Sequence, residues 1–457
     1  MNFKSIDLWR AMRRRLDLAT KRGRIGVIDI GTSKITCLVL KLDPAKMAGV
    51  EAEGPGGALG TDRLATSLFG AVEVVGARCV QSRGVRRGEI VDMQEAARAI
   101  RLALLNAERM AAPKVERVDQ VIVSFSGGRP QSFSTVGEVE TETGVVTDQD
   151  IARALAEAPE PPIGEGRQVL HAQPVEIGLD YRTGMTDPRG MMGKRLSVAV
   201  HVVAVDAQPL ANLMECVRQC DLDLAGVVAA PYAAGLAALV EDEQRTGAVC
   251  IDMGAGSTAI SVFLRDHLVC VDQIRFGGAH VTADIAGGLM MTKANAERIK
   301  TLHGGVIPTG ADEREPIDAP RRGEEESPER RYITRGMLIG VVRPRVEETL
   351  RLLRGRLGEL GVTEMPGCSY VLTGAASQMP GVDELATRVL GRRPRIGRPL
   401  RIAGLPQALT GPENAASVGL AIYALRPHDE LWDFEAPRSW TVQGRAVELV
   451  RWFKTSW

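Results

Sequence analysis

The chain has 457 residues, 44% of them apolar, with fifty-seven basic residues set against fifty-seven acidic. That length supports about three domains with their own cores and excludes both a disulfide-stapled miniprotein and a disordered scaffold. A formal net charge of zero supplies no global field toward nucleic acid, and seven cysteines without a CxxC pair fit a reduced compartment better than a disulfide or zinc framework.

Residues 1–23 carry Lys4, Arg10, Arg13, Arg14, Arg15, Lys21 and Arg22 with no apolar run behind them, which predicts a solvated basic extension and no signal peptide. From Arg24 the sequence RIGVIDIGTSKITCLVLKL reads as two apolar, β-branched strands joined by a tip of Gly31, Thr32 and Ser33. Glycines and prolines over 43–64 predict a long surface loop; 72–80 returns to strand character, and 92–110 has the apolar spacing of a helix. Strands at 118–126 and 196–205 bracket a helix from Thr147, capped by Asp150 three residues on, as one α+β unit. Further helices are expected at 210–220, where Cys216 and Cys220 are packed thiols, and from Pro231 to about Glu243. The longest apolar stretch, 226–240, is too short to span a bilayer, so the protein is expected to stay in the cytoplasm.

A second strand–turn–strand unit, GAVCIDMGAGSTAISVFL, begins at Gly247 and sets Asp, Gly and hydroxyls in the same register as the first, which suggests a duplicated architecture. Beyond it come a helix over 281–302, a charged, proline-containing insertion over 308–331, a helix over 337–360 and a short strand at 370–373. That strand runs into Gly374 and Ala375, and a helix follows from about Val382. Pattern is lost over 427–443, which reads as a linker before a closing segment, 444–457.

Each aspartate of the paired hairpins, Asp29 and Asp252, ends a buried strand, where an ionised carboxylate is costly unless a cation or hydrogen bonds compensate it. A hydrated magnesium is a natural compensator, and the glycines let backbone N–H groups approach a phosphate closely, with Lys34 adding a point charge. Facing each other, the two tips would clamp a polyphosphate with a metal between the carboxylates. No GK[ST] follows the glycines and each turn returns into a strand, so neither tip is a Walker loop or a dinucleotide fingerprint. Gly374 and Ala375, at the exit of a strand, could admit a ribose or base.

On these residues, and on AAPYAAGLAALVEDE, GGAHVTADIA, AERIK and VLTGAASQMPGVDELA, the chain resembles the actin-like ATPase superfamily, and within it the bacterial cell-division branch, from about Arg24 to Ala424 plus the tail. The resemblance implies an α/β, duplicated two-lobed fold with an inserted α+β subdomain at 83–203 typical of that branch. Lobe 1 would comprise 24–82, completed by 204–235 and 415–426. Lobe 2 would have its core in 236–290, completed by 361–414, and a tip subdomain in 291–360. It implies ATP and Mg2+ as ligands. Asp29, Gly31, Thr32, Ser33 and Lys34 would form the first phosphate loop, and Asp252, Gly254, Gly256, Ser257 and Thr258 the second. Glu297 and Lys300 would touch ribose and adenine, Gly374 and Ala375 would form the adenosine loop, and Asp29 and Asp252 would hold magnesium through water. Relatives often place a glutamate before the proline of the connecting helix; here Ala230 stands there, so hydrolysis is expected to be slow or absent. The implied partners are the tubulin-like ring protein FtsZ, gripped through the tip of lobe 2, further copies of the chain in a filament, and later division proteins at the insertion.

The tail adds its own signal. On a helix over 444–457, Ala446, Leu449, Val450, Phe453 and Trp457 share a face, with Arg445, Arg451 and Lys454 at or beyond its edges and Trp452 beside it. That pattern predicts a helix lying in an anionic membrane surface, and together with the resemblance it implies a protein at the cytoplasmic face of the inner membrane at the division site. The rivals are a small-molecule kinase of the same superfamily, which would need a positioned carboxylate base, and a chaperone or pilus-assembly type ATPase.

Overall fold

The computed structural model describes residues 3–51, 69–112, 114–185, 187–324, 331–365, 367–425 and Glu430. The expected linker at 427–443, apart from Glu430, and the amphipathic segment at 444–457 lie outside the described residues. The basic extension is a helix, α1 (Phe3–Arg22), and not a solvated arm. Trp9, Met12, Leu16 and Ala19 recur at three- and four-residue spacing and are buried against the first sheet, while Arg14, Lys21 and Arg22 stay in water.

Lobe 1 continues with the hairpin β1 (Arg24–Ile30) and β2 (Lys34–Leu42), in which Asp29 stands opposite Thr36. Part of the expected 43–64 loop is helical: α2 (Pro44–Glu51) has proline at its first position, and Asp43 accepts from the Ala45 N–H. The rest of that loop, 52–64, lies outside the described residues. There follow β3 (Val72–Gln81), a ribbon of β4 (Val85–Arg86) and β5 (Glu89–Ile90), α3 (Met93–Ala111) and β6 (Gln120–Phe125). The inserted unit comprises β7 (Gln131–Glu140), α4 (Asp148–Glu157), β8 (Arg167–Leu179), β9 (Arg182–Met185) and β10 (Arg195–Asp206). The chain re-enters lobe 1 through α5 (Ala207–Arg218), β11 (Asp223–Ala229) and α6 (Ala230–Ala238).

The inserted unit is narrower than the expected 83–203. Its four strands form an antiparallel sheet in the order β7-β10-β8-β9, whereas β6 belongs to the lobe 1 sheet, β11-β6-β1-β2-β3, paired in parallel with β1 and β11. Burial gives the reason. Every residue of β6 is buried, as a central parallel strand covered on both faces requires, while β7 mixes exposed with buried positions.

Lobe 2 comprises α7 (Glu241–Thr246), β12 (Ala248–Met253), β13 (Thr258–Leu264), β14 (His267–Ile274), α8 (Gly278–Gly288), α9 (Lys293–His303), β15 (Pro316–Asp318), β16 (Tyr332–Thr334), α10 (Arg335–Glu359), β17 (Ser369–Thr373), α11 (Val382–Leu390) and β18 (Arg395–Ile396). The helices expected at 231–243 and 281–302 are each two shorter ones, and the 308–331 insertion contains β15, which pairs with β16. The last described helix, α12 (Ala415–Leu425), returns to lobe 1.

The duplication is explicit in the sheets. The lobe 2 order β14-β13-β12-β17-β18 mirrors lobe 1, with an antiparallel meander followed by two parallel strands in each. Each lobe has its own apolar core, that of lobe 1 running on into the inserted sheet through Val169, Leu170 and Val198. Between the sheets α6 and α12 cross, both rich in alanine and buried nearly all round. A Cβ on Gly419 of α12 would collide with the Ala233 carbonyl of α6, so glycine sets how closely the helices approach.

Candidate functional site

The two hairpin tips face each other across a cleft between the lobes. Their turns are built alike: the Gly31 N–H donates to the Lys34 carbonyl and the Gly254 N–H to the Ser257 carbonyl, each at 3.0 Å. Asp29, Gly31, Thr32, Ser33 and Lys34 line one wall and Asp252, Gly254, Gly256 and Ser257 the other, with Gly374 and Ala375 at the end of β17 closing a third side. Gly374 has φ +84°, and a Cβ there would collide with the Asp252 carboxylate. The third loop therefore lies directly against the second.

Three expected residues are placed elsewhere. Thr258 begins β13 and is buried, donating to the Phe276 carbonyl at 2.9 Å. Glu297 and Lys300 share a turn of α9 and are engaged with each other at 2.7 Å, and both also bond Thr282. They do not line the cleft but sit one layer out, where Lys300 donates to the carbonyl of Gly278, a neighbour of Ala376 just beyond β17.

Other elements complete the walls. Ser124 on β6 donates to Asp29 Oδ1 at 2.7 Å and accepts from the Ile30 N–H at 2.9 Å, tying the acid to its strand. Asn414 accepts from Lys34 Nζ at 2.5 Å. Phe125, Ser126, Gln273, Ala230, Pro231, Pro412 and Glu413 also face the cleft. The β4–β5 ribbon reaches the two hairpin tips from the side: the Gly88 N–H donates to Thr32 Oγ1 at 3.0 Å, and a Cβ on Gly256 would come within 2.8 Å of Arg87 Cα. None of these carries a local signal. They come from strands and turns of ordinary composition that only the tertiary fold brings together.

Both cleft carboxyls are shifted upward from their ordinary range. Burial pushes the Asp29 carboxyl up, with Ser124 and Lys34 opposing. Burial, and after it the charge of Asp29, pushes Asp252 up to about 7, Lys34 again opposing. Two neighbouring carboxylates cannot both ionise cheaply without a positive partner.

Two duplicated α/β lobes, crossed by a helix pair and facing each other over matched glycine–hydroxyl turns, define an actin-like fold. The solved PilM-PilN type IV pilus biogenesis complex shares it, with a TM-score of 0.57 at 17% identity, covering 88% of this chain and 99% of that one. The sequence model described as "Cell division protein FtsA" matches residues 249–419, and that described as "SHS2 domain inserted in FTSA" matches residues 127–204, close to the limits of the inserted sheet. The chain is 39% identical over 407 residues to the cell division protein FtsA of Rhizobium meliloti, covering 89% of this chain and 88% of that one. With the FtsA of Escherichia coli K12 it shares 28% over 417 residues, covering 90% and 92%. The chain belongs to the FtsA family of cell division proteins.

Proposed function

We propose that this chain binds ATP with Mg2+ in the cleft, assembles head to tail, and ties an FtsZ ring to the cytoplasmic face of the inner membrane through residues 444–457, recruiting later division proteins through its inserted unit. The observation that carries the nucleotide reading is the pair of matched turns with Asp29 and Asp252 facing across one cleft. The donor set fits Mg2+ bound with a nucleotide and not a cage of protein ligands. Among the described residues no group of three or more His, Cys, Asp or Glu could hold a metal, whereas Mg2+ keeps several waters and takes one or two carboxylates plus phosphate oxygens. Asp29 and Asp252 would hold it through those waters. Bound there, it would neutralise the phosphates and both carboxylates.

Nucleotide would act mainly as a structural ligand that closes the cleft. Among the described residues the carboxylates lining the cleft are Asp29, Asp252 and Glu413, and Glu413 is engaged by Gln378 at 2.7 Å and by Asn414 at 3.0 Å. Ala230, where a water-positioning carboxylate would stand, has none to offer. Turnover should therefore fall well below ordinary enzyme rates, roughly 1–1000 per second, in a steady-state phosphate-release assay. The same inventory argues against the kinase alternative, which would need a carboxylate base facing its substrate.

The tether reading is supported by the tail's sequence and by family membership. Among the described residues no helix is long and apolar enough to cross a membrane. At about 1 kcal/mol per basic residue near anionic lipid, Arg445, Arg451 and Lys454, offset by Glu448, would attach only weakly, so Trp452, Phe453 and Trp457 must supply apolar burial. Sedimentation with anionic liposomes tests this. The full chain with Mg2+ and ATP should pellet and carry FtsZ with it, while Phe453→Glu and Trp452→Glu should stay in the supernatant with ATP binding intact. Charged variants that remain on lipid would remove the tether reading.

A further inference from the structure

A buried carboxylate socket lies where the inserted sheet meets the cleft, and the chain fills it with its own Glu430. That residue is 3% exposed. Its Oε2 accepts from the Ala172 N–H at 2.8 Å, and its Oε1 lies 2.6 Å from His171 Nδ1 and 3.2 Å from Gln173 Nε2. All three partners sit in consecutive positions of β8, and Gln173 Nε2 is also 3.1 Å from the Tyr232 hydroxyl of α6.

His171, 1% exposed, carries the contact further. Its Nε2 is 3.0 Å from the backbone nitrogen of Ala229. A backbone N–H can only donate, so Nε2 is the acceptor and the ring proton sits on Nδ1, pointing at Glu430. The imidazole thus has a carboxylate at one end and the main chain of β11 at the other. Ala229, Ala230 and Pro231, where β11 passes into α6, line the cleft, as does Leu170 next to His171. One short polar chain joins the segment beyond α12 to the wall of the proposed nucleotide site. A desolvated carboxylate is tolerated only while its acceptor positions are filled, so the seated and unseated states of Glu430 are sharply distinct.

We propose that seating of Glu430 in the His171–Ala172–Gln173 socket and ATP occupancy of the cleft favour each other. The proposal rests on the nucleotide reading above. A ligand that fixes the backbone at 229–231 fixes the donor that orients His171, and a seated carboxylate holds the same backbone for the ligand. Linkage makes the effect reciprocal.

The test uses the full chain with Mg2+ and a fluorescent ATP analogue, together with a glutamate-specific protease whose cleavage after Glu430 is followed by mass spectrometry. Coupling of ordinary size predicts that Glu430→Ala binds the analogue at least ~5-fold more weakly, Glu430→Gln less so, and that saturating ATP slows cleavage of the wild type after Glu430 by a similar factor. The protease arm needs no variant, so a poorly folded substitution does not blunt it. Wild-type binding with equal affinity in the variants and ATP-indifferent cleavage would overturn the coupling and leave the nucleotide reading standing. Weakened variants without ATP-dependent protection would also overturn it, since reciprocity is then violated. Failure of the wild type to bind the analogue would remove both.

Discussion

Asp252 concentrates the chemistry of the cleft in one proton. With its carboxyl at about 7 against an ordinary 3.8, the folded chain binds a proton that the unfolded chain has lost between roughly pH 4 and 7, so stability falls as pH rises through that window. Asp252→Asn should abolish the fall. At about 1.4 kcal/mol per tenfold change in acid constant, the ligand-free variant should be more stable than wild type by a few kcal/mol at pH 8 and nearly equal at pH 4, read from thermal melts across pH. The nucleotide should show the opposite sign. The proposed Mg2+ would require the ionised carboxylate, so wild-type affinity for a fluorescent ATP analogue should rise from pH 6 to 8, and the rise should flatten in the Asn variant. Asp29→Ala and Asp252→Ala should each lose about 10-fold or more in Mg2+-dependent affinity, since each removes one of the two carboxylates that would order the hydrated ion. Unchanged affinity in both would remove the cleft assignment.

At the scale of elements, what was legible in the sequence is what is local. The two hairpins, their tips and the short strand before Gly374 were readable because glycine, hydroxyl and aspartate at fixed offsets dictate a turn within a few residues. Thr258 went astray by one position: after Ser257 the strand has begun, and its side chain turns inward to Phe276. Ser124, Gln273 and Asn414 were invisible because their roles depend on strands and turns far apart in the chain. Glu297 and Lys300 were rightly put on one helix face, but no pattern tells which layer that face meets. In α1 the basic residues drew attention from the spacing of Trp9, Met12, Leu16 and Ala19, which is where its stability resides. Met12→Ala should cost about 2–5 kcal/mol in urea unfolding, as large-to-small changes in a core do, whereas Arg14→Ala, on the exposed side, should stay within roughly 0.5 kcal/mol. Gly419→Ala should also destabilise, because the added methyl meets the Ala233 carbonyl where α6 and α12 cross and neither backbone can yield alone.

For the whole molecule, a short tail with one aromatic cluster should hold a single protomer on lipid only marginally. Successive tails along a filament would insert intramolecularly and multiply avidity without new contacts. Lipid attachment should therefore rise with protein concentration more steeply than one-site binding allows in a sedimentation titration, and a non-steep curve would detach the tether from assembly. Whether the lobes part during such assembly has a natural reporter in the inserted sheet. Ser132 on β7 accepts from the Val271 N–H at 2.6 Å and donates to the Val271 carbonyl at 3.1 Å, while His201 Nε2 lies 2.9 Å from the same hydroxyl. Val271 belongs to β14, the edge strand of lobe 2, so its amide is shielded from deuterium by a side chain of another unit and not by a neighbouring strand. Its exchange rate is thus a clock for the gap between inserted unit and lobe 2: slow while they touch, and set by the frequency of their separation once solvent isotope replaces the proton.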